Sequence, residues 1–146
     1  MKPTPKDWPR ISAALTYDDA AQAIDWLCEA FGFEVRMKVE GEGGSIVHSE
    51  LTYGEGLIML GSSGKTDRPS DRLSKSPRSA GGVNTQRLCV FVDDVDAHCA
   101  HARAKGAVIA VEPVTNDYGE EHWSDRCYQA VDPEGHHWWF MQRMRG

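Results

Sequence analysis

The chain has no Cys-x-x-Cys pair, no apolar run long enough to span a bilayer, and no excess of basic residues. Each absence removes a class. Cys28, Cys89, Cys99 and Cys127 lie far apart, so neither a zinc knuckle nor a dense disulfide framework is expected, and the four read as reduced, mostly buried thiols. The opening stretch MKPTPKDWPRISAA lacks the apolar core of a secretory signal, so the expected home is the cytoplasm and no membrane contact is expected. A formal net charge of −6 argues against a nucleic-acid partner, because phosphate binding needs a concentrated basic face. What remains, in 146 residues of ordinary apolar content, is one domain or two small modules sharing a core.

Two modules are what the pattern shows. LTYDDAAQAIDWLCEAFGF, residues 15–33, runs from a short strand through Asp18-Asp19 into a helix whose buried face is Ala20, Ile24, Leu27 and Phe31, with Gly32 as the stop. VFVDDVDAHCAHARAKGAVI, residues 90–109, repeats the plan with Asp93-Asp94 as cap, Val95, Cys99 and Ala102 as the buried face, and Gly106 as the stop. The two aspartate pairs differ by 75 in number. Farther on, HSELTYGEGLIMLG (48–61) and CYQAVDPEGHHWWF (127–140) each read strand, turn, strand, and here Glu55-Gly56 and Glu134-Gly135 differ by 79. With strands at 34–40 and 108–114, each half becomes β-α-β-β-β, with helices expected near 19–31 and 94–105. Module one is assigned to residues 10–62 and module two to 85–146. Between them, residues 63–84 are rich in Ser, Gly and Pro and carry five basic residues against two acidic. That composition predicts a flexible, solvated linker, or a basic flap over an anionic ligand.

Two such modules ending in DPEGHHWWF resemble the vicinal oxygen chelate superfamily of glyoxalases, bleomycin-resistance proteins and extradiol dioxygenases. The ending of its uncharacterised bacterial glyoxalase/bleomycin resistance-like members is matched by Trp123, Asp125, Arg126, Tyr128, Asp132, Pro133, Glu134, Gly135, His136, Trp138 and Phe140. The resemblance implies an α+β fold, two βαβββ modules forming a curved, incompletely closed mixed sheet around a cavity. It implies that any metal would be held from the first and last strand of each module. Carried across by the offsets of 75 and 79, those positions are Ser12, Arg87, Leu60 and Trp139. A divalent ion needs convergent carboxylates, imidazoles or thiolates, and these four offer none. No metal and no cofactor are therefore expected.

Alternation places His137, Trp139 and Met141 on one face of the last strand, with His136, Trp138 and Phe140 on the other. If Trp138 and Phe140 are core, Trp139 faces the cavity and His137 lies beside it, while His136 near the turn is solvated. The same alternation turns His48 and Glu50 toward the cavity, as ligand contacts or an acid/base couple, unless they form a polar strand edge. His98 and His101 on the second helix are expected at the surface. The pocket is walled by Trp139, with Trp123 and Phe91, and His48, Glu50, Arg87 and His137 are its polar points. It suits an aromatic or anionic small molecule. The expectation is a metal-free binder that sequesters such a compound and works as a homodimer. The rival is a lyase, isomerase or dioxygenase with a displaced metal drawn from His48, Glu50 and His137. A third reading is a partner-binding module whose cavity is filled by side chains.

Overall fold

The computed structural model describes residues 1–64 and 66–146. The first module comprises β1 (Ala13–Tyr17), α1 (Ala20–Phe31), β2 (Glu34–Glu40), β3 (Ile46–Tyr53) and β4 (Gly56–Ser62). A short helix in the linker, α2 (Pro69–Leu73), precedes β5 (Leu88–Phe91), α3 (Val95–Ala104), β6 (Val108–Asp117), β7 (Ser124–Val131) and β8 (His137–Arg145). Both aspartate pairs start their helices as expected. The Asp19 carboxylate accepts from the Gln22 N–H at 3.0 Å, and Asp94 accepts from Ala97 at 3.0 Å. Gly32, at φ 87°, ends α1 in the left-handed region, which only glycine enters without cost.

Each module makes its own four-stranded sheet, ordered β1-β4-β3-β2 and β5-β8-β7-β6, with the first and last strands parallel and the other pairs antiparallel. One core serves both. Leu15, Leu51, Ile58 and Leu60 of the first sheet join Tyr128, Ala130, Trp138 and Phe140 of the second, with Ile24, Leu27, Phe31, Val95 and Cys99 of the helices. Phe31 sits at the centre, its ring 5.5 Å from that of Trp138 and 4.7 Å from that of Phe140. Each sheet therefore has one face on this core and one face turned away from it.

Register corrects one sequence inference. β1 pairs Leu15 with Leu60, and β5 pairs Val90 with Phe140. Since Leu15 and Val90 are equivalent, so are Leu60 and Phe140, and the offset in the last strand is 80. The offset of 79 holds for the preceding strand, where Leu51 pairs with Ile58 as Ala130 pairs with Trp138. The change lies in the turn. The first hairpin closes at Tyr53–Gly56, whereas the second closes at Val131–His137 and takes in Asp132 to His136. A slip of one residue exchanges the faces of a strand. Leu60 is consequently core, and Met59 is the residue that matches Trp139.

The linker is more ordered in its contacts than its composition predicts. Ser76 and Pro77 are buried, the Arg78 N–H donates to the Glu134 carbonyl at 2.9 Å, and the Ser79 hydroxyl donates to Asp18 at 2.5 Å. Its second half docks on the seam between modules because the seam offers acceptors that local sequence does not reveal.

Candidate functional site

The DPEGH turn is the first place where polar groups converge, and its chemistry is structural. Asp132 is buried and accepts from the Tyr17 hydroxyl at 2.6 Å, the Trp138 indole at 3.1 Å, and the N–H groups of Glu134 and His136. Burial foremost, and then the charge of Asp132, push the Tyr17 phenol well above its ordinary value. Glu134, 4% exposed, accepts from the backbone N–H of Asp18 at 2.6 Å and of Asp19 at 2.9 Å. Its carboxylate thus fills, from the other module, the role of the returning acid in a capping box on α1. His136, expected in solvent, packs against Tyr17 with the rings tilted by 50° and places Nε2 2.9 Å from the Thr16 carbonyl. Neither Glu134 nor His136 is left over for a ligand.

His98 also differs from expectation. It is half-buried between the helices, with Nδ1 2.6 Å from the Tyr128 hydroxyl and Nε2 2.9 Å from the Phe31 carbonyl. A neutral ring that donates from Nε2 and accepts at Nδ1 satisfies both. Burial holds its pKa below that of a free imidazole. His101 is exposed, as expected, and contacts the Glu29 carbonyl at 2.7 Å.

The outer face of the second sheet carries Arg87, Cys89 and Trp139 together around a depression of about 460 Å³ that Asn84, Thr85 and Gln86 complete. Cys89 pairs with Trp139 across β5 and β8, and Gln129 flanks Trp139 on β7. Toward the other end of this face, Phe91 and Trp123 hold the Arg143 guanidinium at 5.5 and 5.4 Å from their rings, and Arg143 Nε lies 2.5 Å from the buried Asp125 carboxylate. Trp123 therefore stacks on the protein's own arginine, yet it remains 43% exposed. Sequence reasoning passed over Arg143, although alternation from Trp139 through Met141 puts it on the same face. His137 turns instead toward a separate cavity beneath the linker.

His48 and Glu50 belong to the first sheet. Glu50 is buried, His48 Nε2 lies 3.2 Å from its Oε1, and Arg36 Nε lies 3.3 Å from its Oε2. Trp8 covers the Arg36 guanidinium at 5.4 Å. The bulge in β2 between Val35 and Met37 brings Arg36 into this cluster, which no alternating pattern would foretell. Within one chain, His48 and Glu50 are thus on a different sheet from His137, and the three do not converge as a displaced metal site would require. Among the described residues no three His, Cys, Asp or Glu side chains are placed to hold a metal ion. At the positions that the resemblance marks, corrected to Ser12, Met59, Arg87 and Trp139, the groups are a hydroxyl, a thioether, a guanidinium and an indole. That donor set does not fit a divalent cation.

A model of the Glyoxalase/Bleomycin resistance protein/Dioxygenase superfamily matches residues 11–140. Uncharacterised proteins of Mycobacterium bovis and Mycobacterium tuberculosis are 33% identical over 139 residues, covering 94% of this chain and 85% and 76% of theirs. Among solved structures, TioX from Micromonospora sp. ML1 is similar with a TM-score of 0.70 and 30% identity, over 94% of this chain and all of that one. TnmS3 from Streptomyces sp. CB03234, described as an antibiotic binding protein, is similar with a TM-score of 0.64 and 20% identity, over 90% of this chain and 93% of that one.

Proposed function

The chain belongs to the Glyoxalase/Bleomycin resistance protein/Dioxygenase superfamily, and on that premise we propose that it binds an aromatic or anionic small molecule without a metal. The observation that carries this reading is the depression where Trp139, Arg87 and Cys89 meet. An indole offers a flat apolar face, and a guanidinium beside it pairs with a carboxylate or stacks on a ring. A cation at that point opposes a bound metal and favours an anion. TnmS3 puts the same fold to antibiotic binding, and sequestration of such a compound is the role proposed here.

Of the six proposed ligand residues, Arg87, Trp123 and Trp139 belong to the outer face of the second sheet and His48 and Glu50 to the first sheet, while His137 lines the cavity beneath the linker. The proposal includes a homodimer in which the two outer faces contribute to one site. Exposed Met37 and Val39 on the first sheet and exposed Phe91 and Val114 on the second support it, since outer faces this apolar favour cover.

The test is titration calorimetry with 2-naphthoate as a flat anionic probe. Trp139→Ala and Arg87→Ala should each weaken binding by about tenfold, the effect of losing one stacking or charged contact worth about 1.4 kcal/mol. EDTA should change nothing. Binding abolished by EDTA and restored by a divalent ion would refute the reading. Sedimentation that returns the mass of one chain at every concentration would remove the dimer.

A further inference from the structure

The cavity beneath the linker has a volume of about 380 Å³ and adjoins the Trp139 depression, with which it shares Asn84, Thr85 and Gln86 but neither Arg87 nor Trp139. Its floor is formed where the first strands of the two modules come together, at Ala14, Leu15 and Leu88. Its polar lining residues include Lys75, His136 and His137, with Thr16, Ser74, Asn84, Thr85 and Gln86. No aspartate or glutamate lines it, in a chain with 22 acidic residues against 16 Lys and Arg. Lys75 forms no ion pair among the described residues, and the His137 ring has no hydrogen-bond partner there.

The linker is fixed over this space at two points. Toward its middle, the Ser76 hydroxyl and Arg78 N–H reach the Glu134 carbonyl. At its end, the Asn84 amide donates to the Gly135 carbonyl at 2.7 Å and accepts from the His137 N–H at 3.2 Å. Between these anchors the linker exposes Val83, and just before them Leu73, to 64% and 85%. Both side chains line the cavity. Exposed apolar groups, an exposed lysine without an ion-pair partner and no carboxylate form a lining that suits an amphiphilic anion.

We propose that this cavity is a second binding site, adjoining the Trp139 surface but using different charged groups, for a small organic carboxylate with an apolar body. The carboxylate pairs with Lys75 and takes a hydrogen bond from His137, while the body lies on Leu88 and Val83. The linker is then a structural wall of a binding site as well as a connection between modules.

Benzoate is the probe, benzamide its neutral counterpart, and the readouts are calorimetry and the His137 ring signals in NMR. Saturable benzoate binding should move the His137 signals, and benzamide should bind about tenfold more weakly, as expected for one partly exposed ion pair with a hydrogen bond. Lys75→Ala should abolish that preference. Lys75 is exposed, so its loss leaves the fold intact. Arg87→Ala removes the cation of the adjoining Trp139 surface, to which benzoate can also bind, so affinity is read from the His137 signals, and their half-saturation should stay within about twofold in this variant. Equal affinity for benzoate and benzamide, absence of a saturable shift at His137, or a loss caused by Arg87→Ala rather than Lys75→Ala would overturn the proposal.

Discussion

Replacing Glu134 by alanine should destabilise the protein far more than its place in a turn suggests. The side chain is 4% exposed and accepts two backbone N–H groups, at 2.6 and 2.9 Å, where α1 begins. Arg78 Nη2 stands 3.6 Å away as its counter-charge. Hydrogen bonds to a charged partner contribute about 1.5–3 kcal/mol each when the partner is removed. Asp19 is exposed and Asp18 partly so, so water recovers part of that loss, and Glu134→Ala should cost about 3 kcal/mol. Glu134→Gln keeps one carbonyl acceptor and should cost about half as much. The internal control is Glu55, at the corresponding place in the first hairpin. It is exposed at a two-residue turn, and Glu55→Ala should change stability by under about 0.5 kcal/mol. Urea unfolding followed by far-ultraviolet circular dichroism measures all three. With a slope typical of a small domain, the Glu134→Ala midpoint should fall by about 1–2 M. Equal effects of Glu134→Ala and Glu55→Ala would show that the contact does not hold the modules together.

Face assignment gives a second test: Trp138→Ala should cost about 3–5 kcal/mol and Trp139→Ala under about 1 kcal/mol, and Leu60→Ala should cost about 2–4 kcal/mol while Met59→Ala costs markedly less. A reversed order in urea midpoints for either pair would contradict the register. A third concerns pH. His98 is held neutral, with its folded pKa below the unfolded value of about 6.5. The unfolded chain therefore takes up the proton first. The contribution of His98 is complete above about pH 6.5 and is lost as pH falls through the folded pKa. Urea midpoints should decline between pH 7 and 5 in the natural protein and decline less in His98→Gln; an unchanged slope in that variant would assign the decline elsewhere.

Much of the architecture could be read locally. Asp19 and Asp94 announce their helices, Gly32 and Gly106 end them, and alternation around Trp138 and Phe140 separates core from outer face. What local reading missed depends on contacts over long separations. Nothing in DAHCAH indicates that His98 will meet Tyr128 and the Phe31 carbonyl, and nothing beside His136 points to Thr16, 120 residues earlier. The slip from 79 to 80 escaped for another reason. Matching Glu55-Gly56 to Glu134-Gly135 aligns two turns by composition, but their closing pairs differ, and only pairing reveals which residue follows on which face. For the ligand surfaces, residue types were recognisable in advance; the division between two sheets was not.

The fastening of α1 by Glu134 has a consequence for how chains like this one are identified. Asp132, Glu134, His136 and Trp138 are the most recognisable letters of the sequence, and all four are occupied in joining one half of the molecule to the other. None of them lines the Trp139 depression, and of the four only His136 borders the cavity beneath the linker. A signature built on those letters detects a hinge pin. Two proteins could share it letter for letter and carry unrelated cargo, because selection for what is bound acts one residue away, on the side chains that alternate with it.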